Sequence, residues 1–402
     1  MKQPASDQAQ PDRQLRGEVQ AWLARHWRRL PEPESRWAAN SPERIDWFDK
    51  VLEAGYAVPT WPAELFGLSR PAESSAVIAQ EFAAVGAPGA ALDRYDIPAN
   101  TIVQHGTDRL KADLLRDALT GRVRFCLLYS EPGAGSDLAA VRTTAVLDSD
   151  RWKVNGQKVW TSGAHTADYG LLLARTDWGA TKHRGLSYFV VPMNQPGVEV
   201  RPLVQITGES HFNEVFLTDV QVPAEYLLGA EGGGWGVLQT ALAFERAGMG
   251  NNARTSRHNS LADNLIELAR GHGRLEDPVI RDSLAKVVAL RELHLLNNTR
   301  AKLEAERGGS SSVMSLGKLA VANLLHAEAS VRSQIVGARA LLAGDENPES
   351  DDINFLALNA FYYSIGGGTD QIQRNIIGER ILGLPKEPEV DRDVPFREVR
   401  HG

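Results

Sequence analysis

Three short segments combine glycine with side chains that hydrogen-bond or stack, and one glutamate sits where a helix would bury it. The first segment is Leu127-Leu-Tyr129-Ser130-Glu131-Pro132-Gly133-Ala-Gly135-Ser136-Asp137. A strand ending at Pro132-Gly133 leaves two glycines whose backbone a ligand can approach closely, and Ser130 and Ser136 offer hydroxyls and amides. The same residues also make an ordinary capped loop. The second is Val159-Trp160-Thr161-Ser162-Gly163. An indole beside two hydroxyls can stack on a flat ring whose edge the hydroxyls bond, or it can be a core tryptophan at a sheet edge. The third is Ile365-Gly366-Gly367-Gly368-Thr369-Asp370-Gln371-Ile372-Gln373-Arg374. Thr369 or Asp370 caps the helix that carries Ile372, Ile376, Ile377 and Ile381, Asp370 and Gln373 stand at capping-box spacing, and Gly383 and Pro385 mark its end. A glycine-rich approach to a helix N-terminus binds an anionic or polar group, and it is equally a plain helix start.

The glutamate is Glu245. Leu238, Ala241, Leu242 and Glu245 recur at i, i+3, i+4 and i+7, so the carboxylate shares the apolar face of its helix. Desolvation there raises its pKa toward a range useful to a base. The plain alternative is that Glu245 and Arg246 are ordinary charges at a helix edge.

These residues need elements to position them. From about Gln14 to Gly121 apolar residues recur at helical spacing: Leu15, Val19, Trp22 and Leu23, then Ile45, Phe48, Val51 and Leu52, then Val77, Ile78, Phe82 and Val85. From Arg122 to Leu228 the period moves toward two, with strands expected at Phe125–Tyr129, Gly170–Leu173, Leu186–Val191 and Val215–Val222. Asn155-Gly156 predicts a hairpin turn in this zone. The helical period then returns, at Val237–Ala247, Asn259–Leu268, Ile280–Leu303, Leu316–Leu342 and Ile353–Tyr363, which is enough for a bundle. The expected fold class is α+β, mainly α: an N-terminal helical domain over 1–121, a middle, mostly antiparallel β domain over 122–228 and a C-terminal helical bundle over 229–402. No long βαβ alternation appears, which argues against a doubly wound nucleotide fold.

Composition narrows the function. The 402 residues carry 44 Lys+Arg against 51 Asp+Glu, a net charge of −7, which suits neither non-specific nucleic-acid binding nor docking on anionic membranes. A single cysteine, Cys126, excludes an intrachain disulfide and a cysteine-based metal cluster. Met1 to Arg13 holds no apolar signal core and no run approaches the length of a membrane span, so a soluble, cytoplasmic protein is expected. Gly232-Gly-Gly-Trp-Gly236 lacks the lysine of a phosphate loop and the spacing of a dinucleotide fingerprint, and reads as a flexible lead-in to a helix. Nucleophile-elbow and zinc-helix motifs are absent and the ten histidines are scattered, so hydrolase and metalloenzyme readings are weak and no metal is expected. Trp22, Trp27, Arg28 and Arg29 read as helix surface and packing.

Taken together, Ser-Glu-Pro-Gly-Ala-Gly-Ser-Asp, Asn-Gly-Gln-Lys-Val-Trp-Thr-Ser-Gly and Gly-Gly-Thr-Asp-Gln-Ile-Gln-Arg-Asn resemble the acyl-CoA dehydrogenase family, over nearly the whole chain and in the family's order of helices, β domain and bundle. The resemblance implies FAD as cofactor, an acyl-CoA substrate in lipid metabolism, an electron-transferring flavoprotein as acceptor, and a homo- or hetero-oligomer (dimer or tetramer). It places Tyr129 and Ser130 along the isoalloxazine, Trp160 beside the ring, Thr161 and Ser162 at its polar rim, and Gly368, Thr369 and Gln371 toward pyrophosphate and adenosine. Gln334 stands where a related glutamine contacts the FAD of a neighbouring subunit, and Ser136 where a serine lies near the thioester and pantetheine.

One departure bears on mechanism. Many members carry the catalytic carboxylate immediately before the Gly-Thr of the third motif; here that position is Gly367, which lines the substrate side without a side chain. A subset uses a glutamate before an arginine on the first bundle helix, and Leu242-Ala-Phe244-Glu245-Arg246 matches it. The resemblance therefore makes Glu245 the expected base and Arg246 a substrate contact or an orienting partner. A second departure lies at Leu268–Pro278, which does not match the segment that helps bind FAD across subunits. The alternatives are a non-catalytic or FAD-supporting half of a heteromer, and a flavin oxidase or dehydrogenase acting on carrier-protein thioesters.

Overall fold

A computed structural model of the chain describes residues 5–31, 39–255, 261–306, 316–344, 346–389 and 391–399; side chains from 246 to 264 lie outside the description. The chain divides into two compact units: Met1–Leu203 with Ser210–Gly248 and Asp391–Gly402, and Val204–Glu209 with Met249–Val390.

The first unit opens with helices α1 (Ala5–His26), α2 (Pro42–Glu53), α3 (Ala72–Ala84), α4 (Ile97–His105) and α5 (Asp108–Thr120). Their ends follow local chemistry. Ser41 caps α2 with Pro42 in its first turn, and Thr107 caps α5, which stops at Gly121 in the left-handed region, φ 65°. Leu15, Val19 and Leu23 of α1 pack on Val51, Leu52, Ile78 and Phe82. Trp22 lies edge-on to Tyr56 at 5.2 Å and Trp27 donates to the Val85 carbonyl, so these tryptophans do serve packing.

Among the described residues eight strands form one sheet: β1 (Phe125–Leu128), β2 (Thr144–Asp148), β3 (Arg151–Lys158), β4 (Tyr169–Arg175), β5 (Leu186–Pro192), β6 (Val198–Leu203), β7 (Phe212–Pro223) and β8 (Leu227–Leu228). The order is β6-β7-β3-β2-β4-β5-β8, with β1 parallel to β4 and the remaining ladders antiparallel except a single β2–β4 pair. Period two sorts the central strands into two cores. Leu171, Leu173, Tyr188 and Val190 face a cluster shared with α4, α5 and α6 (Gly234–Thr255). Leu172, Ala174, Phe189 and Val191 face the other, with Trp152, Val154 and Val220.

The hairpin expected at Asn155-Gly156 is not there. β3 runs through both residues and its register shifts between Val154 and Gly156, so the pair forms a bulge. A Cβ on Gly156 would meet Thr143 Oγ1 at 2.3 Å, so close strand approach requires that glycine. The turn lies instead at Ser149-Asp150, with Ser149 at φ 58°. The glycine lead-in to α6 is packed rather than loose: Gly232 donates its N–H to Ser187 Oγ at 2.9 Å, and a Cβ on Gly234 would meet the Ser187 backbone at 2.5 Å.

The second unit holds α7 (Leu261–Gly271), α8 (Pro278–Glu306), α9 (Gly317–Val336), α10 (Pro348–Ile365) and α11 (Asp370–Ile376). Leu265, Ala269, Ile280, Leu284, Val287, Val331 and Ile335 make its core. Thr369 caps α11, its hydroxyl accepting from Ile372 N, which corrects the Asp370–Gln373 capping box: with the cap at 369 the third helical position is Ile372. Among the described residues no helix is long and apolar enough to cross a membrane.

Candidate functional site

The loop that follows β1 rests on a buried ion pair. Lys158 ends β3 fully buried, and its Nζ donates to Glu131 Oε1 at 2.8 Å, to the Tyr129 carbonyl at 3.0 Å and to the Leu173 carbonyl at 2.8 Å. The Glu131 carboxylate also accepts from Arg142 N at 2.7 Å and Thr143 N at 2.9 Å. Burial pushes Glu131 up, but the ammonium and these donors outweigh it and hold the carboxyl below its usual value. Neither residue stands out in the sequence by type or spacing. The available signal was a lysine on the inward register of a half-buried strand.

On its outer side the loop is open. Gly133 and Gly135 have no heavy atom within 4 Å of where a Cβ would stand, and neither adopts a positive φ. Neither packing nor conformation requires glycine there, and the space over this backbone is open. Ser136 is exposed at its end.

The second motif is tied alongside, since Val159 N donates to the Ser130 carbonyl at 2.9 Å. Trp160 is 61% exposed. It sits at φ 61°, edge-on to Phe212 with centroids 6.1 Å apart. A left-handed conformation is strained for a tryptophan, and strain of this kind collects where a side chain is held for a purpose. Thr161, the next residue, is not exposed as Trp160 is. It is buried, pairs its N–H and C=O with Asn213 at 3.0 Å, and leaves its hydroxyl without a hydrogen-bond partner. Ser130 and Ser162 are half-buried.

Tyr129 turns its side chain inward. Its hydroxyl meets that of Tyr188 on β5 at 2.5 Å, with ring centroids 5.9 Å apart. Val237, Leu238, Ala241 and Leu242 of α6 pack in the same cluster as both phenols. Glu245 lies one helical turn beyond Ala241 and is half-buried. Its charge reaches the pair: burial, and then the Glu245 carboxylate among other groups, push both phenols above their ordinary value. The helical face read from spacing is the face that packs. Tyr188 went unread because a tyrosine in an apolar strand looks like core. The Arg246 side chain lies outside the described residues.

In the second unit, Gly367 and Gly368 take φ of 64° and 86° ahead of the Thr369 cap. Asp370 pairs with Lys318 Nζ at 3.0 Å. Gln371 and Gln334 are exposed, and Gln334 Nε2 donates to Ser330 Oγ at 3.2 Å. Among the described residues no cluster of His, Cys, Asp or Glu could hold a metal ion.

Family models for the N-terminal, middle and C-terminal domains of acyl-CoA dehydrogenase match residues 10–122, 126–220 and 232–382. Acyl-CoA dehydrogenase IpdE1 of Mycobacterium tuberculosis is 37% identical to this chain over 348 residues, 86% of this chain and 89% of that protein. FadE34 of the same organism is 38% identical over 343 residues, 84% of this chain and 46% of that protein. A solved structure described as the Tcur3481-Tcur3483 steroid ACAD superposes with a TM-score of 0.73 at 28% identity, covering 96% of this chain and 99% of that one.

Proposed function

The chain belongs to the acyl-CoA dehydrogenase family, and from that premise we propose that it removes the α-proton and β-hydrogen of an acyl-CoA thioester with Glu245 as base, giving a trans-2-enoyl-CoA. The chain is a flavoprotein oxidoreductase acting on acyl-CoA, and FAD is its cofactor. The residues present fit that group. Trp160 offers an exposed, conformationally held ring, the half-buried Ser130 and Ser162 lie in the two segments tied together there, and the backbone at Gly133 and Gly135 is open to approach. Bound FAD supplies the acceptor for the β-hydride.

The observation that carries the reading is the placement of Glu245 on the α6 face that packs against Tyr129 and Tyr188. A carboxylate with partial burial is a better base than a solvated one, and Gly367 supplies no competing side chain at the other position. Ser130, Trp160 and Ser162 would hold the flavin, the unpartnered Thr161 hydroxyl would donate to it, and Tyr129 would support the segment from the core side. Gln334, Gly368, Thr369 and Gln371 would serve the rest of the cofactor, and Ser136 and Arg246 the substrate. An electron-transferring flavoprotein would reoxidise the enzyme.

Two observations favour an oligomer. Leu293 and Leu296 of α8 and Phe361 and Ile365 of α10 are each at least 58% exposed, apolar side chains that a partner chain would cover. The structural neighbours Tcur3481-Tcur3483 and ChsE4-ChsE5 are two-component assemblies by name, so a heteromer is the second reading.

The test is anaerobic flavin bleaching by straight-chain, branched, aromatic and steroid-derived acyl-CoA thioesters, on the wild type and on Glu245→Gln. Bleaching confined to the wild type is expected and names the substrate class. Bleaching that survives the substitution would assign the base elsewhere. Bound flavin that no thioester reduces would favour the supporting half of a heteromer.

A further inference from the structure

The C-terminal residues 391–399 lie beyond the segment matched by the family models and return to the β domain within the first unit. Phe396 N donates to the Ala180 carbonyl at 2.9 Å and Arg397 N to the Trp178 carbonyl at 3.0 Å, while Pro395 bridges Thr181. Phe396 is fully buried, and the Arg175 guanidinium stands 3.4 Å from its ring centroid. That distance is a close cation–π contact. The same guanidinium donates to the carbonyls of Ala139 at 2.7 Å and Val141 at 3.2 Å, the residues just after the Ser136–Asp137 loop. Lys182 makes the second link: its Nζ reaches Asp137 Oδ2 at 2.5 Å and Asp391 Oδ2 at 3.4 Å.

Two cations therefore join the tail to the loop that offers Ser136. We propose that residues 391–399 form a strap that holds the Ser136–Asp137 loop in its substrate-receiving shape, with Lys182 and Arg175 as positioning residues for the acyl-CoA. Arg175 fixes the segment after the loop while stacking on Phe396. Lys182 sets where Asp137, and with it Ser136, stands. Fixing a loop before the substrate arrives removes an ordering cost from binding, so loosening it weakens binding without touching the chemical step.

The inference rests on the dehydrogenase reading, and its test separates the two. Lys182→Met and Asp391→Asn are compared with the wild type for KM, kcat and FAD content, and for amide hydrogen exchange over 131–140. Faster exchange in both variants is expected, together with a KM for acyl-CoA raised on the order of tenfold in Lys182→Met, less in Asp391→Asn, and kcat within about twofold. Unchanged exchange in both variants would overturn the strap, whatever the enzyme does. Faster exchange with unchanged KM would overturn its role in substrate binding. A wild type that no acyl-CoA reduces would overturn the enzymatic reading instead, and the exchange experiment would still decide the strap.

Discussion

The hydroxyls of Tyr129 and Tyr188 meet at 2.5 Å inside a core, and the carboxylate of Glu245 acts on both. Tyr188 is fully buried and Tyr129 nearly so. A bond formed away from water matters most when one partner is removed. Tyr188→Phe leaves the Tyr129 hydroxyl without that partner, and it is expected to cost about 1–3 kcal/mol. Replacing both by Phe removes the orphan as well as the bond. The double variant should therefore be less destabilised than the sum of the singles, read as denaturant midpoints of all four proteins. Strict additivity would show that the hydroxyls stabilise nothing jointly.

The Glu131–Lys158 pair is expected to behave as a buried ion pair behaves when one side is deleted. Glu131→Gln leaves an ammonium with no exposure facing only carbonyls, at a cost of about 3–5 kcal/mol. The pH dependence follows from the direction of the shift. Glu131 titrates lower in the folded chain than its ordinary 4.5, so its contribution is complete above that value and is lost as pH falls below it. Melting temperatures of wild type and variant should be widely separated at neutral pH and should converge under acid. A constant gap would mean that the carboxylate does not supply it.

Much of this arrangement is legible in the sequence, and the exceptions have physical causes. The i, i+3, i+4, i+7 spacing put Glu245 on the packed face of α6 because an apolar stripe must be covered. Asn155-Gly156 misled because the residues that suit a tight turn also suit a bulge; the deciding fact, contact between Gly156 and Thr143, is a register between strands that no local pattern encodes. Lys158 and Tyr188 escaped for a related reason. Strand periodicity treats a lysine as outward and a tyrosine as apolar, whereas here carbonyl oxygens satisfy the one and a second phenol the other. The strap was hidden too, since Phe396 meets Arg175 across more than two hundred residues.

The role proposed for Trp160 sets conformational strain against cofactor binding. A left-handed conformation costs an L-residue about 1–2 kcal/mol, and glycine adopts it freely. The indole is 61% exposed, so its removal sacrifices little buried surface. Trp160→Gly is expected to leave the apoprotein as stable as the wild type or slightly more so, while FAD dissociates on the order of tenfold more readily, one decade in affinity. Apoprotein melting and flavin-fluorescence titration check the two halves separately. A less stable apoprotein with unchanged FAD affinity would return Trp160 to an ordinary packing role.

Glu328 of α9 offers a titration with the opposite sign. The residue is 3% exposed and its Oε1 has no hydrogen-bond partner. Burial pushes its pKa to about 7, and the guanidiniums of Arg332 and Arg291 only partly oppose it. Between the ordinary value of 4.5 and about 7 the unfolded chain has released this proton and the folded chain still holds it. Stability therefore falls as pH rises through that window and stays lower above it. Glu328→Gln removes the titrating group, so its stability should be flatter across the window. Because the net displacement is upward, the ionised carboxylate stands at a loss despite two nearby cations, and the variant is expected to melt higher than the wild type at pH above 7. Melting curves on either side of the window decide it. A variant that melts lower at high pH would show that attraction to Arg332 and Arg291 outweighs desolvation, with the folded-state pKa of Glu328 then below its ordinary value.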